Sequence, residues 1–86
     1  MMKFYGTMVC KECVEARERL NEAGVLFDYV DISVSVGNMK EFLHLRDTRK
    51  EFDAVKKAGA IGIPCFLKDD GAVVIGAAAL LKEARG

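Results

Sequence analysis

The stretch Met2-Lys3-Phe4-Tyr5-Gly6-Thr7-Met8-Val9-Cys10-Lys11-Glu12-Cys13 decides the fold. Lys3 to Gly6 reads as a short strand. Lys11 to Ala23 reads as a helix, with Val14, Arg17 (through its stem), Leu20 and Ala23 along one stripe at helical spacing. Gly24 stands where a C′ glycine closes a helix. Val25 to Ile32 is β-branched and aromatic and reads as a second strand. A strand–helix–strand unit takes the right-handed crossover and sets its two strands parallel.

The same stretch carries the chemistry. Cys10 falls at the helix N-terminus and Cys13 one turn further on. Unpaired N–H groups at a helix start favour thiolate over thiol at Cys10. Two cysteines at this spacing come within disulfide range. A nucleophilic thiol with a resolving partner beside it is what thiol–disulfide exchange requires.

Working outward, Ser33 to Ala60 reads as helical but broken. Asn38 and Glu41 have capping-box spacing ahead of an apolar face of Met39, Phe42 and Leu43. Asp47 or Thr48 is expected to cap a second segment that buries Phe52, Val55 and Ala58 and ends at Gly59. Ile63 to Leu67 reads as a strand, and Asp70-Gly71 as a two-residue hairpin turn returning Ala72 to Ile75 antiparallel. Ala77 to Ala84 closes the chain as an alanine-rich helix. The expected order is β-α-β-α-β-β-α.

Composition bounds the function. The chain has 86 residues, enough for one domain over its whole length, 1–86. Thirteen basic residues balance thirteen acidic ones, which argues against an extended nucleic-acid surface or a polybasic membrane patch. No apolar run approaches the roughly 20 residues of a membrane span, and the N-terminus does not read as a secretory signal. Three cysteines are too few for a disulfide framework, so the expected compartment is a reducing cytoplasm.

A CxxC between the first strand and first helix, with Gly62-Ile63-Pro64 before the third strand, resembles the thioredoxin superfamily, and more narrowly the glutaredoxins. The likeness covers essentially the whole chain, which starts at the strand before CxxC without the extra strand and helix of thioredoxin. It implies an α/β, thioredoxin-like (glutaredoxin-type) fold with a four-stranded mixed sheet flanked by helices. It implies a dithiol–disulfide oxidoreductase in which Cys10 attacks and Cys13 resolves. It implies a cis Pro64 beside the thiols and an Ile63 backbone that pairs with an extended peptide or with glutathione. Substrate-binding positions by the same resemblance are Lys11, Ile63, Pro64, Gly76 and Ala77.

The departures concern glutathione. Lys11-Glu12 replaces the Pro-Tyr common inside the pair, Lys11 favouring the Cys10 thiolate and Glu12 opposing it. Ala58-Gly59-Ala60-Ile61-Gly62-Ile63-Pro64 lacks the Gln and second Thr of the corresponding glutaredoxin segment. Gly76-Ala77-Ala78-Ala79 replaces the Gly-Gly and Asp that grip glutathione, leaving only helix N–H groups for a carboxylate. Thr7-Met8-Val9 stands where a basic residue commonly precedes the pair. The expected partners are a disulfide-containing protein substrate and a thiol reductant, either glutathione or a thioredoxin-reductase-like donor. No bound cofactor, metal, nucleic acid or membrane is expected, and the chain is expected to be a monomer.

Other readings compete. CxxC is also half of a zinc site, but Cys65 and His44 are the other soft ligands on offer, and His44 lies in the distant helical region. A cluster shared across a dimer through the first cysteine and glutathione is the iron–sulfur version. Cys65 reads either as a third redox thiol or as a small hydrophobe pointing away from Pro64 by strand alternation, which we favour. His44 reads as a surface residue, and Arg46-Asp47-Thr48-Arg49-Lys50-Glu51 as a solvated helix junction or a partner surface. Met8 and Val9 are either an apolar rim for protein substrates or a packing contact.

Overall fold

In the computed structural model, residues 1–85 are described, with side chains as far as Lys82. The elements follow the order β1 (Lys3–Gly6), α1 (Lys11–Glu22), β2 (Asp28–Asp31), α2 (Val36–Thr48), a 3-10 turn (Lys50–Phe52), α3 (Asp53–Lys57), β3 (Cys65–Leu67), β4 (Val73–Ile75) and α4 (Ala77–Arg85). The sheet order is β2-β1-β3-β4. β1 runs parallel to β2 and antiparallel to β3, and β3 runs antiparallel to β4, a four-stranded mixed sheet.

Strand alternation divides the core into two faces. Tyr29, Phe4, Phe66 and Val74 are partners across successive strands, and they pack with Cys13, Ala16, Leu20 and Leu80 of α1 and α4. Phe4 stacks on Phe66 at 4.8 Å between ring centroids and meets Phe27 edge-on at 5.4 Å. Val30, Tyr5, Cys65 and Ile75 form the opposite row, against Phe42, Leu45 and Phe52.

The local reading needs several corrections. α1 buries Cys13, Ala16 and Leu20; Arg17 and Ala23 are exposed, and the Arg17 guanidinium lies 5.2 Å from the Tyr29 ring centroid. Gly24 and Val25 close α1 through Gly24 N–H to Asn21 O and Val25 N–H to Leu20 O, a Schellman arrangement. Because Val25 is spent on that closure and packs on the α1 face, the second strand starts at Asp28 rather than Val25.

Ser35, not Asn38, caps α2: its hydroxyl accepts the Asn38 N–H at 3.0 Å, while the Asn38 amide donates to Asp31 O at 2.9 Å. Thr48 ends α2, donating its hydroxyl to His44 O, and neither it nor Asp47 caps the next segment. The break falls at Arg49, whose backbone is extended. Leu45 takes the buried place expected of Leu43, and Ala58 is exposed. The hairpin has a three-residue loop. Gly71 N–H reaches Lys68 O, Lys68 N–H reaches Ala72 O, and Gly71 carries φ +88°, a type I turn with a glycine bulge. A two-residue type I′ turn would need Asp70 at positive φ, which it does not adopt.

Candidate active site

The carboxyl end of β1 leads through Thr7, Met8 and Val9 to the first turn of α1. Cys10 is the N-cap, extended at φ −98° and ψ 116°, and its Sγ accepts the Cys13 N–H at 3.4 Å. A negative sulfur at this point is met by a backbone donor at a helix start. Cys10 is half-buried, Cys13 has no exposed surface, and both are free thiols. Cys13 approaches β1 closely because residue 6 is glycine: a Cβ there would lie 3.0 Å from Cys13 Sγ.

Burial, then the neighbouring Cys10 thiol, pushes Cys13 up to about 12, with the Thr7 backbone pulling the other way. At neutral pH Cys13 is therefore a protonated thiol lying behind Cys10. The Tyr29 hydroxyl, on the same face, is buried without a hydrogen-bond partner among the described residues, and burial pushes it up to about 12.

Pro64 enters from the other side. The Ile63–Pro64 peptide is cis, Pro64 is fully buried, and Ile63 is half-buried between the two cores. Two contacts fix the preceding loop. Arg46 of α2 donates from Nη2 to Ala60 O at 2.7 Å and from Nε to Ile61 O at 2.9 Å. Gly62, at φ +98°, lies where a Cβ would come within 2.9 Å of the Phe52 ring. Arg49 likewise donates to Gly71 O at 3.0 Å, so the arginines of the 46–51 run hold backbone carbonyls instead of standing as a simple solvated junction.

Pro64, Gly76 and Ala77 share a groove of about 220 Å³ with Glu12, Glu15, Ala16, Arg19 and Ala78. Three of the expected binding positions thus meet beside α1. Lys11 does not line this groove; its side chain is 89% exposed and stands 4.0 Å from Glu15. Glu15 and Arg19 escaped the sequence reading, although Glu12, Glu15 and Arg19 recur at the spacing of one helical face. Val9 is 89% exposed beside Cys10, while Met8 accepts an Arg17 N–H on its sulfur at 3.6 Å. Cys65 lies fully buried on the far face, and His44 is exposed on α2. Among the described residues no three His, Cys, Asp or Glu side chains gather closely enough to hold a metal ion, and no helix is long and apolar enough to cross a membrane.

Comparison with known structures places this architecture. The chain superposes over 100% of its length on 100% of a mutant of the thioredoxin-like protein BC3987, with a TM-score of 0.69 and 20% identity. It covers 86% of a glutaredoxin from Archaeoglobus fulgidus over 99% of its own length (TM-score 0.68, 22% identity). The fold is thioredoxin-like, of the glutaredoxin-related type. A buckwheat glutaredoxin solved with glutathione matches 98% of this chain and 67% of its own, with a TM-score of 0.67 and 11% identity. In sequence, an uncharacterized protein of Haemophilus influenzae is 39% identical over 66 residues, 77% of each chain, and the two belong to one family. No family model matches the chain. In this glutaredoxin-related fold, the CxxC and the cis proline come from separate elements and converge at one end of the sheet.

Proposed function

We propose that the protein is a small dithiol–disulfide oxidoreductase, with Cys10 as nucleophile and Cys13 as resolving thiol. The observation that carries this reading is Cys10 at the α1 N-cap, its sulfur aligned with the Cys13 N–H and the Cys13 thiol buried directly behind it. The Cys10 thiolate attacks one sulfur of a substrate disulfide; that S–S bond breaks, and the departing thiolate takes up a proton. Cys13 then gives up its proton and attacks Cys10 Sγ. A Cys10–Cys13 disulfide forms, the second substrate thiol leaves, and two electrons have passed to the substrate. An external thiol reductant restores the pair. No bound cofactor is needed, and the setting that suits free thiols is a reducing cytoplasm.

A glutathione-independent version, accepting electrons from a thioredoxin-reductase-like donor and passing them to a protein client, is the second reading. It is favoured by the groove beside Pro64, where Glu12 and Glu15 outnumber Arg19 among the described lining residues. Glutathione carries a net negative charge, so two carboxylates there weaken its hold.

The test is turnover of a glutathione mixed disulfide and, separately, of insulin by the reduced protein, repeated with Cys10→Ser and Cys13→Ser. Expected are loss of at least about 100-fold in turnover for Cys10→Ser and a trapped mixed disulfide on Cys10 in Cys13→Ser. Reduction of insulin alone selects the glutathione-independent version. Turnover of neither substrate sinks the reading.

A further inference from the structure

The loop carrying Cys10 is fastened to the end of β2 by hydroxyl groups that the proposed thiol chemistry does not use. Asp31 Oδ1 accepts both the Ser33 N–H, at 2.8 Å, and the Ser33 hydroxyl, at 2.6 Å. Ser33 Oγ also lies 2.9 Å from Thr7 Oγ1. A carboxylate only accepts, so the Ser33 proton is committed to Asp31 and the Thr7 hydroxyl must donate to Ser33. That leaves the lone pairs of Thr7 Oγ1 facing the Val9 N–H at 3.4 Å. Every proton in the series therefore points one way, from Val9 through Thr7 and Ser33 to Asp31. Such chains polarise cooperatively, and reversing one member leaves an orphaned donor or acceptor.

Thr7 joins this series to both cysteines. Its carbonyl accepts the Cys10 N–H at 3.2 Å. Its backbone also opposes the rise of the Cys13 thiol. Only 7% exposed as a residue, it is the buried polar residue of the described chain. The strand that ends just before it, β1, is held to the segment after β2 at the same level, where Ile32 N–H bonds Gly6 O at 2.9 Å.

We propose that Thr7, Ser33 and Asp31 are positioning residues for the Cys10 nucleophile, a one-directional hydrogen-bond chain that holds the 7–10 loop so that Cys10 Sγ meets the Cys13 N–H. The inference deepens the oxidoreductase reading and rests on it for its catalytic consequence, but the geometry it assigns exists whether or not the protein turns over a disulfide.

The experiment measures the alkylation rate of Cys10 by iodoacetamide in the reduced full-length chain, read by peptide mass, beside kcat and KM for whichever disulfide substrate is turned over. Thr7→Val keeps the shape and removes the hydroxyl; Thr7→Ser keeps the hydroxyl. Thr7→Val and Ser33→Ala are expected to slow Cys10 alkylation and lower kcat by roughly five- to tenfold with KM unchanged, about the worth of one lost buried hydrogen bond. Thr7→Ser is expected to stay within about twofold of the parent, a recovery that mere loop stability would not give. Wild-type alkylation in both Thr7→Val and Ser33→Ala overturns the proposal, as does a Thr7→Ser rate as low as that of Thr7→Val. If Thr7→Val does not fold, Ser33→Ala on the exposed loop decides alone. Absence of turnover in the parent chain would count against the oxidoreductase reading, while the alkylation rates still judge the chain of hydroxyls.

Discussion

Cys13 and Cys65 lie on opposite faces of one sheet, and neither has exposed surface. Burial pushes both thiols up to about 12. By residue type, burial and acidity they are alike. Their surroundings separate them. Cys13 stands one helical turn from a half-buried thiol, beside the Thr7 backbone and close to the groove at Pro64. Cys65 is the strand partner of Tyr5 and Ile75 and packs among Phe42, Phe52 and Val30. A buried thiol is ordinarily a small hydrophobe; a second thiol at a helix N-terminus is what sets Cys13 apart from Cys65. One face of the sheet holds the site, and the other supplies the scaffold that holds Pro64 against it.

If the two faces are one cooperative core, truncation on either should cost alike. Phe66→Ala on the thiol face and Phe42→Ala on the far face are each expected to lose about 3–5 kcal/mol in denaturant unfolding. A loss below about 1 kcal/mol on either face would show that its ring stack is not part of the cooperative unit.

A smaller effect comes from the shared acidity of the two buried thiols. An unfolded cysteine releases its proton near 9.0, while Cys13 and Cys65 keep theirs to about 12. The unfolded state therefore binds fewer protons between those values, and stability, complete below pH 9, falls as pH rises toward 12. The slope reaches at most about 1.4 kcal/mol per pH unit for each thiol. Urea midpoints measured from pH 8 to 11 should decline, and Cys65→Val should remove part of the decline while leaving disulfide turnover intact. A variant whose alkaline slope matches the parent would separate the acidities of the two cysteines after all.

The smallest effect is expected outside both faces. The Lys11–Glu15 pair is at 4.0 Å and its lysine side chain is 89% exposed. Lys11→Ala should change stability by less than about 0.5 kcal/mol. A change in KM for a protein disulfide would restore Lys11 to the substrate surface, where the groove geometry does not put it.

The two faces also differed in how far they could be read beforehand. Around Cys10 the local pattern was enough: the apolar Lys3–Gly6 run, a cysteine pair at a helix start, and Gly24 after it all reappear in place. On the far side the signals competed. Asn38 has the capping-box spacing, yet Ser35 takes the cap while the Asn38 amide donates to Asp31 O, a contact seven residues away. Arg46 and Arg49 looked like surface charge because their acceptors, the carbonyls of Ala60, Ile61 and Gly71, are backbone groups that carry no residue signature. Thr7 was legible only as the absence of a basic residue, since Ser33 and Asp31, which give it meaning, belong to another strand end.

The sequence by itself determined the order of strands and helices and the placement of Cys10 and Cys13 on one helical turn, because periodicity, glycine closure and thiol spacing act over a few residues. Only the tertiary structure decided which residues line the groove at Pro64, how Arg46 and Gly62 fix the loop before it, and how Thr7 is held. Those depend on strand pairing and hydrogen bonds between segments distant in the chain, whose partners no local pattern names.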